Sequence, residues 1–179
     1  MIGTSQPMIL AWMAAPCPPG NTMVFQWVLK YSILFSNTSN LSPGAQFTSI
    51  GGVDVDPVQG DVYTLSADGA TYSFKGHSTA IKGTPGTVGA QTDCSVKNNQ
   101  VSLALGIIGI PVFACDTQTN SVVAFTPKPK YYLAFGQYQQ GTVLNEASMS
   151  HSIELNFEAM KTYSFTADID ASHNWNLSL

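Results

Sequence analysis

Two acidic pairs in this chain have the spacing of a ligand or cation site. Asp54 with Asp56, and Asp168 with Asp170, lie two residues apart. On an extended segment both carboxylates of such a pair project to one side, which is how loops gather oxygen ligands for a hard cation such as Ca2+. Asp54 and Asp56 form the candidate metal pair. The second pair is followed by His173, Asn174 and Trp175. Carboxylates beside an indole suit sugar recognition, because hydroxyls donate to the carboxylates while the pyranose face packs on the ring. Tyr132 and Tyr138 join this ligand-binding set, since alternation along one strand at Tyr131–Tyr138 sends both to the face opposite Tyr131. The competing reading is turn formation, for which Asp-Pro at 56–57 and Asp-Ala-Ser at 170–172 are suited.

The cysteines number three, which does not describe a disulfide framework. Cys94 and Cys115 flank an apolar region and are disulfide candidates if their strands are neighbours; in a reducing compartment both act as small buried hydrophobes. Cys17 is held in a stiff loop by Pro16, Pro18 and Pro19, and is the candidate for covalent attachment of a ligand or chromophore. The cofactor candidates are therefore Ca2+ and a bound chromophore.

Catalytic signatures are missing. The chain has no G-x-S-x-G elbow, H-E-x-x-H, C-x-x-C or Walker loop. Its three Glu residues are Glu146, Glu154 and Glu158, and Glu154 falls on the solvated face of a strand, where such a residue can project into a groove but more simply improves solubility. No catalytic residue is assigned, and the expectation is a non-enzymatic binding protein.

Charge narrows the partners. Only 10% of residues are charged, the net charge is −4, and all seven cations are Lys. Without the guanidinium fork, and with a negative balance, the chain is unsuited to nucleic acid or nucleotide. A glycan or another small-molecule ligand is the expected partner. With so few charges to keep copies apart, a homo-oligomer is expected too.

The elements that must position these residues read as strands. From Met23 to Phe35 every odd residue is apolar or aromatic, while Gln26, Lys30 and Ser32 are even. That is a period of two, and it predicts one long bent or bulged strand with Trp27, Tyr31 and Phe35 in the core. The period returns at His151–Phe157, Thr162–Asp168 and Trp175–Leu179. Asp61–Ser66 and Thr71–Lys75 predict a hairpin turning at Gly69. Asn98–Asn99 and Asp116–Asn120 predict tight turns, and Leu103–Ala114 a buried strand with a kink. Gly76–Thr92, rich in Gly, reads as a long loop able to act as a lid. Glu146–Met149 is the one candidate helical turn.

About eleven strands and no long helix predict a single all-β domain over 1–179. The expected architecture is an antiparallel β-sandwich of jelly-roll or lectin-like type, with a closed β-barrel as the alternative. No stretch reaches the ~18 apolar residues of a membrane helix. Met8–Ala15 reads as a first strand rather than a leader, which implies a cytoplasmic protein or one secreted without a visible signal peptide. In overall composition the chain resembles the small all-β lectins and defence proteins of fungal fruiting bodies, being acidic, Arg-poor and rich in Ser, Thr, Asn and aromatics. The resemblance carries no residue over. It implies carbohydrate binding first, then an apolar-ligand or pigment carrier, then a membrane-active or self-assembling defence protein.

Overall fold

In the computed structural model, residues 7–78, 85–128, 130–145, 149, 152–155, 166–170, 172 and 174–178 are described. The strand expected over Met23–Phe35 forms only as β2, Tyr31–Ser36. Its neighbours set that limit. Strand β3 (Gly51–Val55) flanks it on one side and β7 (Ser102–Ile107) on the other, and the last pairs are Tyr31 with Val55 and Tyr31 with Ile107. Beyond Val55 the chain enters a 3-10 turn at Pro57–Gln59, and beyond Ile107 it reverses at Ile108 and Gly109 into β8 (Ile110–Asp116). A strand has no ladder to extend where both neighbours turn away, so residues 21–30 stay outside any sheet. Trp27 is accordingly not core. It is partly exposed and meets Trp12 edge-on, with ring centroids 5.2 Å apart.

The kink expected within Leu103–Ala114 is this β7–β8 reversal. Ile108 takes φ +50° and Gly109 +75°, the conformation of a two-residue hairpin turn, in which a β-branched residue is unusual. Strand β1 (Met8–Ile9) pairs with β8, giving a five-stranded antiparallel sheet in the order β1-β8-β7-β2-β3.

A second sheet packs on it. Strands β4 (Val62–Asp68) and β5 (Thr71–Ser78) form the expected hairpin, with Gly69 at φ +61°. Next come β6 (Val88–Thr92) and β9 (Val122–Phe125), in the order β5-β4-β6-β9; the β4–β6 pair is parallel and the others antiparallel. Gly76–Thr92 is therefore not one long loop, because its ends belong to β5 and β6. Residues 79–84 lie outside the described residues. Gly89 misleads at the sequence level: it is a strand residue facing Val62, and a Cβ there would stand 2.6 Å from Val62 Cγ2.

Between the sheets lie Ile33, Phe35, Leu65, Val88, Leu103 and Phe125, all buried. The Phe35 ring meets Tyr72 and Phe74 of β5 at 6.3 and 5.7 Å. The first sheet is also covered on part of its other face, where Leu34, Ala104 and Ala114 pack under Leu10, Phe47 and Val143. That second cluster explains why Ser32, Ile33, Leu34, Phe35 and Ser36 are all buried rather than alternately so. The covering loop is held by backbone bonds, Leu10 N to Val112 O at 2.8 Å and Phe47 N to Gly141 O at 2.9 Å, and by the Asp116 carboxylate accepting from Leu41 N. The fold is an all-β sandwich. Its first sheet ends at β1 and β3 and its second at β5 and β9, so neither closes into a barrel.

The chain divides into two compact units, Met1–Pro127 with Tyr138–Leu144, and Lys128–Gln137 with Asn145–Leu179. The sandwich belongs to the first. In the second, β10 (Tyr131–Ala134) pairs with β11 (Ser152–Leu155), and β12 (Thr166–Ile169) with β13 (Trp175–Ser178), both antiparallel. Three residues of the candidate helical turn, 146–148, lie outside the described residues.

Turn chemistry accounts for the junctions. Asn99 and Asn120 take φ of +55° and +54°, as their residue type favours. After β6, the Asp93 carboxylate accepts from Ser66 Oγ at 2.5 Å, from Ser95 N at 2.9 Å and from Ser95 Oγ. Those hydroxyls hold its carboxyl below the usual carboxylate range.

Candidate functional site

Strand interiors that use glycine mark places where another group must come close. The first sheet's outer face has several, at the edge of the part covered by Leu10, Phe47 and Val143. One row across three strands is Asp54 of β3, Ser32 of β2 and Gly106 of β7, set opposite one another by the ladder; the next row is Gly52, Leu34 and Ala104. Over these rows lies an open groove of about 490 Å³, lined by Ser32, Leu34 and Gly52 with Ser49, Asp54 and Gly109 at its margins. A Cβ on Gly52 would sit 2.5 Å from Leu34 Cδ2 and 2.7 Å from the Ile33 carbonyl oxygen. One on Gly106 would sit 2.7 Å from Ser32 Oγ. Glycine is thus required at both positions by close packing against Leu34 and Ser32, and Gly52 also lines the groove.

Ser32 is 3% exposed, and its hydroxyl oxygen has no hydrogen-bond partner among the described residues. Leaving a buried hydroxyl unpaired costs about 1–3 kcal/mol. Directly across the ladder, Asp54 does not supply the partner. Its carboxylate pairs with Lys30 Nζ at 2.6 Å, with both side chains well exposed at the rim. One residue along β7 from Gly106, the Ile107 carbonyl accepts from Trp12 Nε1 at 3.3 Å, which anchors the Trp12–Trp27 pair. The arrangement offers a hydroxyl able to donate or accept, a carboxylate that accepts and an ammonium that donates, around an apolar floor at Leu34.

The RhiA family model matches residues 2–179 of the chain. The chain belongs to the RhiA family. It is 29% identical over 174 residues to "Protein RhiA" of Rhizobium leguminosarum bv. viciae, an alignment covering 94% of this chain and 73% of that protein. No solved structure matches.

In this RhiA-family chain the residues singled out by sequence are dispersed. Asp54 is ion-paired with Lys30, whereas Asp56 caps the 3-10 turn, accepting from Val58 N at 2.9 Å. Among the described residues no group of three or more His, Cys, Asp or Glu is placed to hold a metal ion. Asp170 organises the β12–β13 turn, accepting from Ser172 N at 2.8 Å, Asn174 N at 2.9 Å and Asn174 Nδ2 at 3.1 Å. That is turn chemistry, as its Asp-Ala-Ser sequence allows. Asp168 faces Asn176 in the ladder and is exposed; His173 lies outside the described residues, and Trp175 is placed by its backbone alone, opposite Ile169. Tyr132 and Tyr138 do not share a strand. β10 stops at Ala134, Tyr132 is exposed beside Glu154 in the second unit, and Tyr138 belongs to the first.

The cysteines are unpaired. Cys17 and Cys94 are exposed and Cys115 is buried in β8, so the Cys94–Cys115 bridge is not formed. Burial, with the Asp116 charge adding to it, pushes the Cys115 thiol up to about 12. At pH 8 a disulfide reagent should therefore label Cys17 and Cys94 of the native protein at once, and the third thiol only after unfolding. Immediate labelling of all three thiols would contradict the buried placement.

Sequence reasoning passed over the groove because Ser32, at an even position, reads as solvent-facing. The signal was present in Gly51-Gly52 and Gly106, glycines inside strand-like segments.

Proposed function

We propose that the groove binds a neutral, hydroxyl-rich ligand, a sugar unit, and that the protein is a non-enzymatic carbohydrate-binding protein. The observation carrying this reading is the buried Ser32 hydroxyl, without a partner among the described residues, at a groove that Gly52 and Asp54 also line. A sugar hydroxyl both donates and accepts. With the Ser32 side chain, whose oxygen is closed to solvent in the free protein, turned toward the groove, it pairs with Ser32 and donates to Asp54, which a purely apolar or purely anionic ligand does not. An anion would also meet the Asp54 charge. No base lies within hydrogen-bond reach of Ser32 Oγ among the described residues, which supports binding over nucleophilic catalysis. None of the groove-lining residues is aromatic, so this reading rests on hydrogen bonding and not on the ring platform expected from sequence.

The test is a glycan array followed by calorimetry with the free sugar. Saturable binding that changes little with salt is expected, since the ligand is neutral. Absence of binding to any neutral glycan, or binding indifferent to groove substitutions, would remove the proposal.

A further inference from the structure

Residues 23–29 carry strand patterning without a sheet. Val24 is 74% and Val28 69% exposed, with Met23, Phe25 and Leu29 exposed as well. The backbone amides of Met23, Val24, Phe25 and Gln26 donate to no group among the described residues. This segment runs directly into β2, whose ladder ends on both sides at Tyr31. An exposed, almost continuously apolar segment next to open backbone donors has the features of a strand that pairs with another chain.

We infer that this segment pairs antiparallel with the same segment of a second copy of this chain, about a two-fold axis at Gln26. Charge favours that occupant. The first 29 residues contain no Asp, Glu, Lys or Arg, so a partner bearing charges would have them desolvated without compensation. A second copy presents the same neutral strip. The sequence is also self-complementary about Gln26: Phe25 faces Trp27, Val24 faces Val28, and Met23 faces Leu29 of the partner. Lys30 falls opposite Thr22, which keeps the two Lys30 side chains roughly 26 Å apart at ~3.3 Å per residue, beyond the screening length in physiological salt. Such an isologous contact closes on itself, giving a dimer and not a filament.

The inference is independent of sugar binding and is read by mass. Light scattering should give twice the 19.1 kDa chain mass for the wild type at micromolar concentration. The Val24→Lys/Val28→Lys double variant places Lys against Lys twice, and its dimerisation should weaken at least tenfold. In Val24→Lys/Val28→Glu each Lys meets a Glu of the partner, so the dimer should persist. All substitutions are at exposed positions, and far-UV circular dichroism checks that the variants fold. A wild type monomeric at every attainable concentration would overturn the inference. So would equal behaviour of the two variants, which a parallel or different contact gives, or association only with phosphatidylcholine vesicles, which would make the strip a lipid-binding surface.

Discussion

Replacing Gly106 by alanine is expected to abolish sugar binding and to cost about 2 kcal/mol of folding stability. The added methyl would stand 2.7 Å from Ser32 Oγ, 2.8 Å from Leu34 Cδ1 and 3.1 Å from the Ile110 carbonyl oxygen. Two of those neighbours are side-chain ends on the buried β2, which give only by changing rotamer in a packed setting, and the third is backbone of the adjoining strand, which does not move without disturbing the ladder. Removing a strand glycine restricts the unfolded chain, which offsets about 0.5–1 kcal/mol of the strain. The crowding exceeds that. Gly52→Ala should act in the same direction, because its methyl would meet the Ile33 carbonyl at 2.7 Å. With an m-value near 2 kcal/mol/M, the urea midpoint should fall by roughly 1 M. An alanine variant with unchanged midpoint and unchanged sugar affinity would show that these glycines neither relieve crowding nor shape a site.

The alternation over Met23–Phe35 shows what could be read from sequence and what could not. Periodicity reports which side chains would share a face if a strand formed; it does not report whether neighbouring chain exists to pair with it. Here β3 and β7 run out at Val55 and Ile107, a fact of tertiary assembly. Local chemistry was more legible. The hairpin at Gly69 and the left-handed turns at Asn99 and Asn120 follow from residues whose φ preferences act within a few positions. The all-β class followed from the recurrence of the period along the chain, although the recurrences after residue 150 fall in the second unit and not in the sandwich. Site residues were the least legible, for a reason visible at Asp56 and Asp170: a carboxylate that caps a turn and one that binds a ligand use the same residue type and spacing, and differ only in what stands across from them. Ser32 is the converse case. Its polarity placed it in water at the sequence level, while the loop over Leu34 and the adjacent strands buried it.

Ser32→Ala should separate binding from folding. Truncation removes a buried hydroxyl that has no partner among the described residues, so the folded state is relieved of a desolvation cost and stability should rise, by about 1 kcal/mol. A serine serving only the sheet would give the opposite sign, because loss of a hydroxyl that makes a hydrogen bond destabilises. Sugar affinity should fall about tenfold at the same time, the equivalent of one hydrogen bond of roughly 1.4 kcal/mol. The conjunction is diagnostic: a more stable protein that binds less well has given up a group held unsatisfied for its ligand. Urea titration of the free protein and calorimetry with the sugar identified on the array supply the two readings. Ser32→Thr is the useful companion, since it keeps the hydroxyl but adds a methyl at a position that is only 3% exposed. It should lose both stability and affinity. If Ser32→Ala proves less stable than the wild type, the hydroxyl is satisfied by the fold itself, and the groove has no claim to a ligand through that residue.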